Sequence, residues 1–202
     1  MALILKSSIK YFNCYPREEK IALFNKTIPA ISDFKDFEKF ISSNLKVCVL
    51  LNFRLAQLTN LVKKLKAAKK IVFIHAELIK GLANDEDGAL YLIQDLAVDG
   101  IISSKSRVIE LCKKRNVVGV YRFFLKDTLS LNQSLAIAKM IKPEYIEVLP
   151  FQGSSIIKKL KKIIPAKYLA GGLIATDKDV EFCLNNGAVA VTTSQVELWH
   201  LE

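Results

Sequence analysis

Four ionisable residues stand at the ends of apolar runs, where strands would deliver their last side chains to a common mouth. They are His75 and Glu77 in KIVFIHAEL (70–78), Arg122 in VVGVYRFF (117–124) and Glu147 in YIEVLP (145–150). An imidazole and two carboxylates can bind hydroxyls or move a proton, and a guanidinium binds an anion or a carboxylate. Period-two alternation puts Phe73, His75 and Glu77 on one face, opposite Val72, Ile74 and Ala76, and the same alternation turns Arg122 and Glu147 inward. A buried charge needs a partner. These residues therefore either pair internally, as an Arg122–Glu147 ion pair with His75 hydrogen-bonded in the core, or face a polar ligand. Two further stretches favour a ligand. YLAGGL (168–173) closes an apolar run on Gly171 and Gly172, in a chain with only 8 glycines, and AVAVTTS (188–194) closes on Thr192, Thr193 and Ser194. Glycines let backbone amides approach an anion closely, and hydroxyls at a neighbouring strand end complete a phosphate cradle.

The runs that carry these residues belong to a series. TIPAI (27–31), KVCVLLN (46–52), KIVFIHAEL, DGIISS (99–104), VVGVYRFF, YIEVLP, KYLAGG (167–172) and AVAVTTS read as eight strands. The segments between them, such as LAQLTNLVKKLKAAKK and SRVIELCKKR, carry apolar residues at i, i+3 and i+4 and read as helices. Asp33, Asp85, Ser106, Ser154 and Thr176 stand where N-caps are needed, and Gly187 where a left-handed residue ends a helix. Strict alternation implies parallel strands with right-handed crossovers, and eight of them close a (β/α)8 TIM barrel. An open doubly wound sheet is the alternative. The chain then divides into an N-terminal extension, residues 1–26, and a single barrel domain over 27–202. In such a barrel the paired glycines and the Thr-Thr-Ser run end strands seven and eight, whose loops are the usual phosphate site of the fold.

The chain has 202 residues, 51% of them hydrophobic, enough for one domain with a sizeable core. No apolar run reaches the roughly 18 to 20 residues that span a bilayer. MALILKSSIKYF also lacks the pattern of a secretory leader, so the expected location is the cytoplasm, with no membrane partner. Cys14, Cys48, Cys112 and Cys183 are scattered without ligand spacing and read as buried thiols; neither a metal nor a cofactor is expected. A net charge of +10 suits a polyanionic partner. The candidate contacts are Lys63 and Lys64 on one helix and Lys113, Lys114 and Arg115 on another, with Lys158, Lys159, Lys161 and Lys162 on a third. As solvated helix faces they would carry no function. No RRM, KH or arginine-rich pattern is present.

HAELIKGLANDEDG (75–88), DGIISSKS (99–106), YRFFLKD (121–127), YIEVLP, LAGGLI (169–174) and NNGAVAVTTS with the following LW (185–199) resemble, in order, the glycerol-3-phosphate-responsive antiterminators of bacterial glycerol operons. The resemblance spans about residues 27 to 199. It implies a barrel that binds sn-glycerol 3-phosphate as effector and, when liganded, acts on leader messenger RNA to prevent premature termination; the ligand-ordered form, or a homodimer it favours, would be the one that binds RNA. On this resemblance Gly171, Gly172, Thr193 and Ser194 hold the phosphate, Glu147 and His75 meet the glycerol hydroxyls, and Arg122 adds charge at the phosphate or orients Glu147. Two positions depart from the family pattern: LPFQG has Phe151 where a glycine is expected, changing a wall of the pocket, and Glu77 replaces an expected Asp pointing into it. The rival classes are an enzyme acting on a small phosphorylated polyol or triose, with His75 and Glu147 as acid and base or Glu77 and Glu147 holding Mg²⁺, and a barrel that signals through protein contacts.

Overall fold

A computed structural model describes residues 25–200. Its eight parallel strands close into a barrel in sequence order. They are β1 (Thr27–Ile31), β2 (Val47–Leu50), β3 (Ile71–His75), β4 (Gly100–Ser103), β5 (Val118–Phe124), β6 (Tyr145–Leu149), β7 (Lys167–Gly171) and β8 (Ala190–Thr193). The connecting helices are α1 (Phe34–Ser42), α2 (Leu55–Ala67), α3 (Glu86–Leu90), α4 (Ser106–Lys114), α5 (Thr128–Ile141), α6 (Ile157–Ile163) and α7 (Asp177–Asn185). β1 pairs with β8, so the sheet has no edge and the open alternative is excluded. The chain is a (β/α)8 barrel. Most of the expected N-terminal extension, residues 1–26, lies outside the described residues, as does Cys14. Among the described residues no helix is long and apolar enough to cross a membrane.

Alternation along each strand sorts the side chains into an inner and an outer core. Val49, Phe73, Ile102, Val120, Tyr145, Leu169 and Ala190 pack together inside the barrel. Their strand neighbours, such as Leu50, Ile74, Ile146 and Val191, pack outward against the helices. Cys48, Cys112 and Cys183 are buried and unpaired. In the inner layer a bulky ring needs a small partner: Phe73 is in register with Gly100, where an added Cβ would lie 2.8 Å from the ring.

The helix starts follow the side chains that can cap them. Asp33 accepts from the Asp36 amide, Asp85 from that of Gly88, and Thr176 from that of Asp179. Gly187, with φ +100°, follows α7 as expected. Two caps are elsewhere. Ser106 is the first residue of α4, behind Lys105, and Ser154 is buried within a 3-10 turn, Phe151–Ile156, that precedes α6. The missed cap is Asp127, which forms a reciprocal box with Ser130 and starts α5 before the leucine-rich stretch that marks it in sequence. α3 runs on into a π-helical turn, Tyr91–Asp95, which apolar spacing does not signal.

Gly100→Ala should lower stability by about 1–3 kcal/mol, because the Phe73 ring cannot retreat within a closed barrel. Urea midpoints with an unchanged m-value measure it. An unshifted midpoint would contradict the packing of the inner layer.

Candidate ligand-binding site

One side-chain layer above the inner core, the apolar pattern stops. The next inward positions are His75 on β3, Arg122 on β5, Glu147 on β6, Gly171 on β7 and Thr192 on β8. Register pairs Arg122 with Glu147 and Gly171 with Thr192. With Ala30, Leu51, Leu149, Gly172, Leu173, Thr193 and Ser194, the side chains of His75, Arg122, Glu147 and Thr192 border a cavity of about 190 Å³ at the C-terminal ends of the strands. That is below the range of drug-sized pockets and suits a small metabolite. A larger groove of about 560 Å³ runs along the outer face of α2 beside Phe34, but no buried ionisable group converges on it.

Glu147 lies at the centre of this layer with 2% of its surface exposed. Its Oε1 accepts from the Thr192 hydroxyl at 2.7 Å, while its Oε2 has no partner. Burial pushes its carboxyl above the ordinary value; the Thr192 hydrogen bond and the Arg122 charge oppose that shift. Gly171 is what makes room for the pair: a Cβ there would lie 2.2 Å from the Thr192 hydroxyl and 3.1 Å from Glu147 Oε1.

His75 is 5% exposed, and its Nδ1 stands unpartnered, 3.7 Å from Glu77 Oε2. Burial first and the Arg122 charge second press its pKa down to about 4, so the ring is neutral near pH 7. Arg122 lies over the Phe124 ring at 5.1 Å, and its Nε is buried without a partner. Among the described residues it makes no ion pair within 4.0 Å, so the internal Arg122–Glu147 pair is absent. Of the five buried side-chain polar atoms left without partners among the described residues, four belong to His75, Glu77, Arg122 and Glu147.

Glu77 departs from its expected place. β3 ends at His75 and the chain turns into a 3-10 segment, Ala76–Leu78, so strand alternation no longer aims the side chain. Its Oε1 accepts from the Ser103 hydroxyl at 2.5 Å and the Ser104 amide at 2.9 Å, fixing the loop after β4 behind His75. It is not among the residues bordering the cavity, and a metal held between Glu77 and Glu147 has no support from this arrangement. Phe151 likewise leaves the mouth: its ring meets Phe182 edge-on at 6.1 Å, and Leu149 supplies the cavity wall.

The phosphate-loop candidates differ in what they offer the cavity. Gly172, with φ +74°, and Ser194 border the cavity. Thr193 Oγ1 is turned to the protein, donating to the Ile174 carbonyl and accepting from the Gln195 amide, while the Thr193 carbonyl accepts from the Trp199 indole. The Phe151 amide donates to the Gly172 carbonyl at 3.2 Å, tying the loops after β6 and β7 together. Thr192 is the inward hydroxyl of its strand, and counting by twos from Ala190 would have singled it out.

The basic candidates are dispersed. Lys63 and Lys64 lie on the outer flank of α2, where Lys64 pairs with Glu38 at 3.4 Å. Lys113, Lys114 and Arg115 end α4, with α3 between the two helices. Lys70, a neighbour of the first group, is buried and donates to the carbonyls of Ser43 and Leu45.

Fold and site together define a (β/α)8 barrel with a small cavity lined by polar side chains at the C-terminal ends of its strands. The family profile described as glycerol-3-phosphate responsive antiterminator matches residues 27–199, and the chain belongs to that family. The structure is similar to that of the glycerol uptake operon antiterminator regulatory protein from Listeria monocytogenes, 35% identical with a TM-score of 0.82 over 86% of this chain and 94% of that one. A glycerol uptake operon antiterminator-related protein from Thermotoga maritima is 25% identical, with a TM-score of 0.74 over 87% of this chain and 98% of that one. An uncharacterised protein of Escherichia coli is 28% identical over 177 residues, which make up 88% of this chain and 93% of the relative.

The depressed His75 value fixes the sign of a pH effect. A histidine whose folded pKa lies below its unfolded value stabilises fully above the unfolded pKa, near 6.5, and loses that contribution as pH falls toward about 4. The slope from this one group is at most about 1.4 kcal/mol per pH unit. Urea midpoints of wild type and His75→Gln should therefore converge as pH falls across this window. Parallel curves would show that His75 is not held neutral.

Proposed function

We propose that the mouth binds sn-glycerol 3-phosphate and that the liganded chain acts on the leader of glycerol-utilisation messenger RNA to prevent premature termination, in the cytoplasm. Membership of the family supports responsiveness to this effector. What carries the reading to particular residues is that His75, Arg122 and Glu147, each with a buried polar atom lacking a partner, border one small cavity. Such atoms are costly unless something supplies their hydrogen bonds, and a phosphorylated polyol brings hydroxyls and an anion together.

In this reading Glu147 and neutral His75 take the hydroxyls, and Arg122 supplies the cation, facing the phosphate or steadying Glu147. The backbone at Gly172 and the hydroxyl of Ser194 meet the phosphate. Gly171 and Thr193 shape the two loops that present them, and Glu77 positions His75 from behind. No cofactor is required for binding. The loops after β6, β7 and β8 are linked through Phe151, Gly172, Ile174 and Thr193, so a ligand touching Gly172 and Ser194 acts on all three. It shifts RNA affinity only by binding one arrangement more tightly than the other.

A thermal shift tests the ligand. At about one hundred times its Kd, sn-glycerol 3-phosphate should add about 2.7 kcal/mol, a shift of several degrees, with glycerol and inorganic phosphate giving less. Gly172→Val should abolish the shift while the protein still unfolds cooperatively; a retained shift would contradict the phosphate placement. Turnover of glycerol phosphate or a triose phosphate would favour the enzyme class instead. RNA affinity at matched salt should rise with ligand, and equal affinity with and without it would overturn the switch.

A further inference from the structure

We infer that the RNA backbone docks on the face of the barrel opposite the ligand mouth, along a basic rim where the helices return to the strands. This rests on the RNA-binding reading above and adds the surface to it.

In a (β/α)8 barrel every helix begins on the mouth side and ends on the opposite side. Charge in this chain is unevenly divided along that axis, although Lys35, Arg107, Lys158 and Lys178 also stand in first turns. Helix starts carry Asp36, Glu86, Asp127 and Asp177, whereas last turns carry Lys66, Lys114, Lys139 and Lys162 and none of those helices ends on an acid. Helix dipoles favour this arrangement and account for part of it.

Three observations go beyond the dipole. Lys69 and Lys142 occupy left-handed backbone, φ 56° and 47°, just past α2 and α5. Glycine or asparagine is the unstrained choice there, so lysine carries a conformational cost at both positions. Lys46, Arg115 and Lys167 extend the cationic surface past the helix ends, and all three are exposed. Finally, the cations with structural duties can be set aside: Lys66 pairs with Asp99, Lys64 pairs with Glu38, and Lys70 is buried against carbonyls. Lys69, Lys113, Arg115, Lys142 and Lys162 remain exposed and form no ion pair with a described residue.

A phosphodiester backbone gains affinity by releasing counterions to such a surface, and its repeated charges match a rim better than a single pocket does. The mouth side interleaves the capping carboxylates Asp33, Asp85 and Asp127 with cations such as Lys35, Lys105 and Arg107, and so offers the backbone a mixed surface. Ligand and RNA then occupy opposite ends of the barrel and do not compete. Lys113, Lys114 and Arg115 belong to this rim, while Lys63 and Lys64 lie on its outer flank.

The test uses the full chain with saturating sn-glycerol 3-phosphate and a labelled leader transcript bearing a terminator hairpin, followed by anisotropy across a salt series. A rim variant carries glutamine at Lys69, Lys113, Arg115, Lys142 and Lys162. A mouth-side variant of equal charge change carries it at Lys35, Lys80, Lys105, Arg107 and Lys178. The rim variant should bind about tenfold or more weakly at fixed salt, with the log–log salt slope shallower by about one for each phosphate it no longer neutralises, and the mouth-side variant within about twofold of wild type. Equal weakening of both, or weakening of the mouth-side variant alone, would overturn the assignment of the face. A wild-type chain with no salt-sensitive affinity would instead overturn the RNA reading itself. Ultraviolet cross-linking of wild type offers a readout independent of the variants: adducts in the segments that join helices to strands support the rim, and adducts confined to the mouth loops refute it.

Discussion

A carboxyl group with almost no exposed surface sets the terms for the upper half of this barrel. Glu147 is held in the inner layer by one hydroxyl, that of Thr192, and influenced by one guanidinium, that of Arg122, with its second oxygen unpartnered. Its neighbours follow from that placement. Residue 171 has to be glycine, because a side chain there would displace the Thr192 hydroxyl. Arg122 must remain near enough to oppose the desolvation of Glu147, and the same charge pushes His75 toward its neutral form. One cation thus favours the deprotonated form of both groups, which is ionised for the acid and uncharged for the base. That combination can accept and donate hydrogen bonds to neutral hydroxyls while leaving Arg122 for an anion.

The lower half of the barrel supplies the rigidity this needs. Phe73, Val120, Tyr145 and Leu169 fill the interior below the polar layer, so the strand ends cannot collapse to satisfy the orphaned atoms. Above it, loops rather than strands complete the mouth, and they are bound to one another through Phe151, Gly172, Ile174 and Thr193. A rigid floor under linked loops is the arrangement in which a small ligand can act at a distance from the groups it touches. The opposite face differs in kind, presenting cations on exposed helix ends.

Much of this is legible in sequence because a closed parallel barrel obeys a period of two. The apolar runs locate all eight strands, and alternation alone brings His75, Arg122 and Glu147 inward. The rule fails where strands end. Glu77 lies two residues past the end of β3, in a 3-10 turn, so its alternation with His75 carries no meaning. Thr193 and Ser194 draw attention as a hydroxyl pair, yet parity favours Thr192, whose partner Glu147 is 45 residues away in the chain. Gly171 and Gly172 look alike in sequence but differ in duty, one giving steric room and the other a left-handed turn. The π-helical turn and the place of Phe151 depend on tertiary packing that no local pattern reports. The lysines read as separate helix faces until the topology brings the helix ends to one side.

The central claim is that the ligand meets the buried polar layer at His75, and the composition of the chain makes that directly observable. It has 2 histidines, His75 in the mouth and His200 exposed near the C-terminus. Labelling histidine with ¹⁵N and titrating with sn-glycerol 3-phosphate should move the His75 ring resonances, starting from the neutral form near pH 7, and leave His200 in place as an internal reference. A titration in which the His75 signals stay fixed while ligand saturates the protein would place the binding site elsewhere and contradict the account.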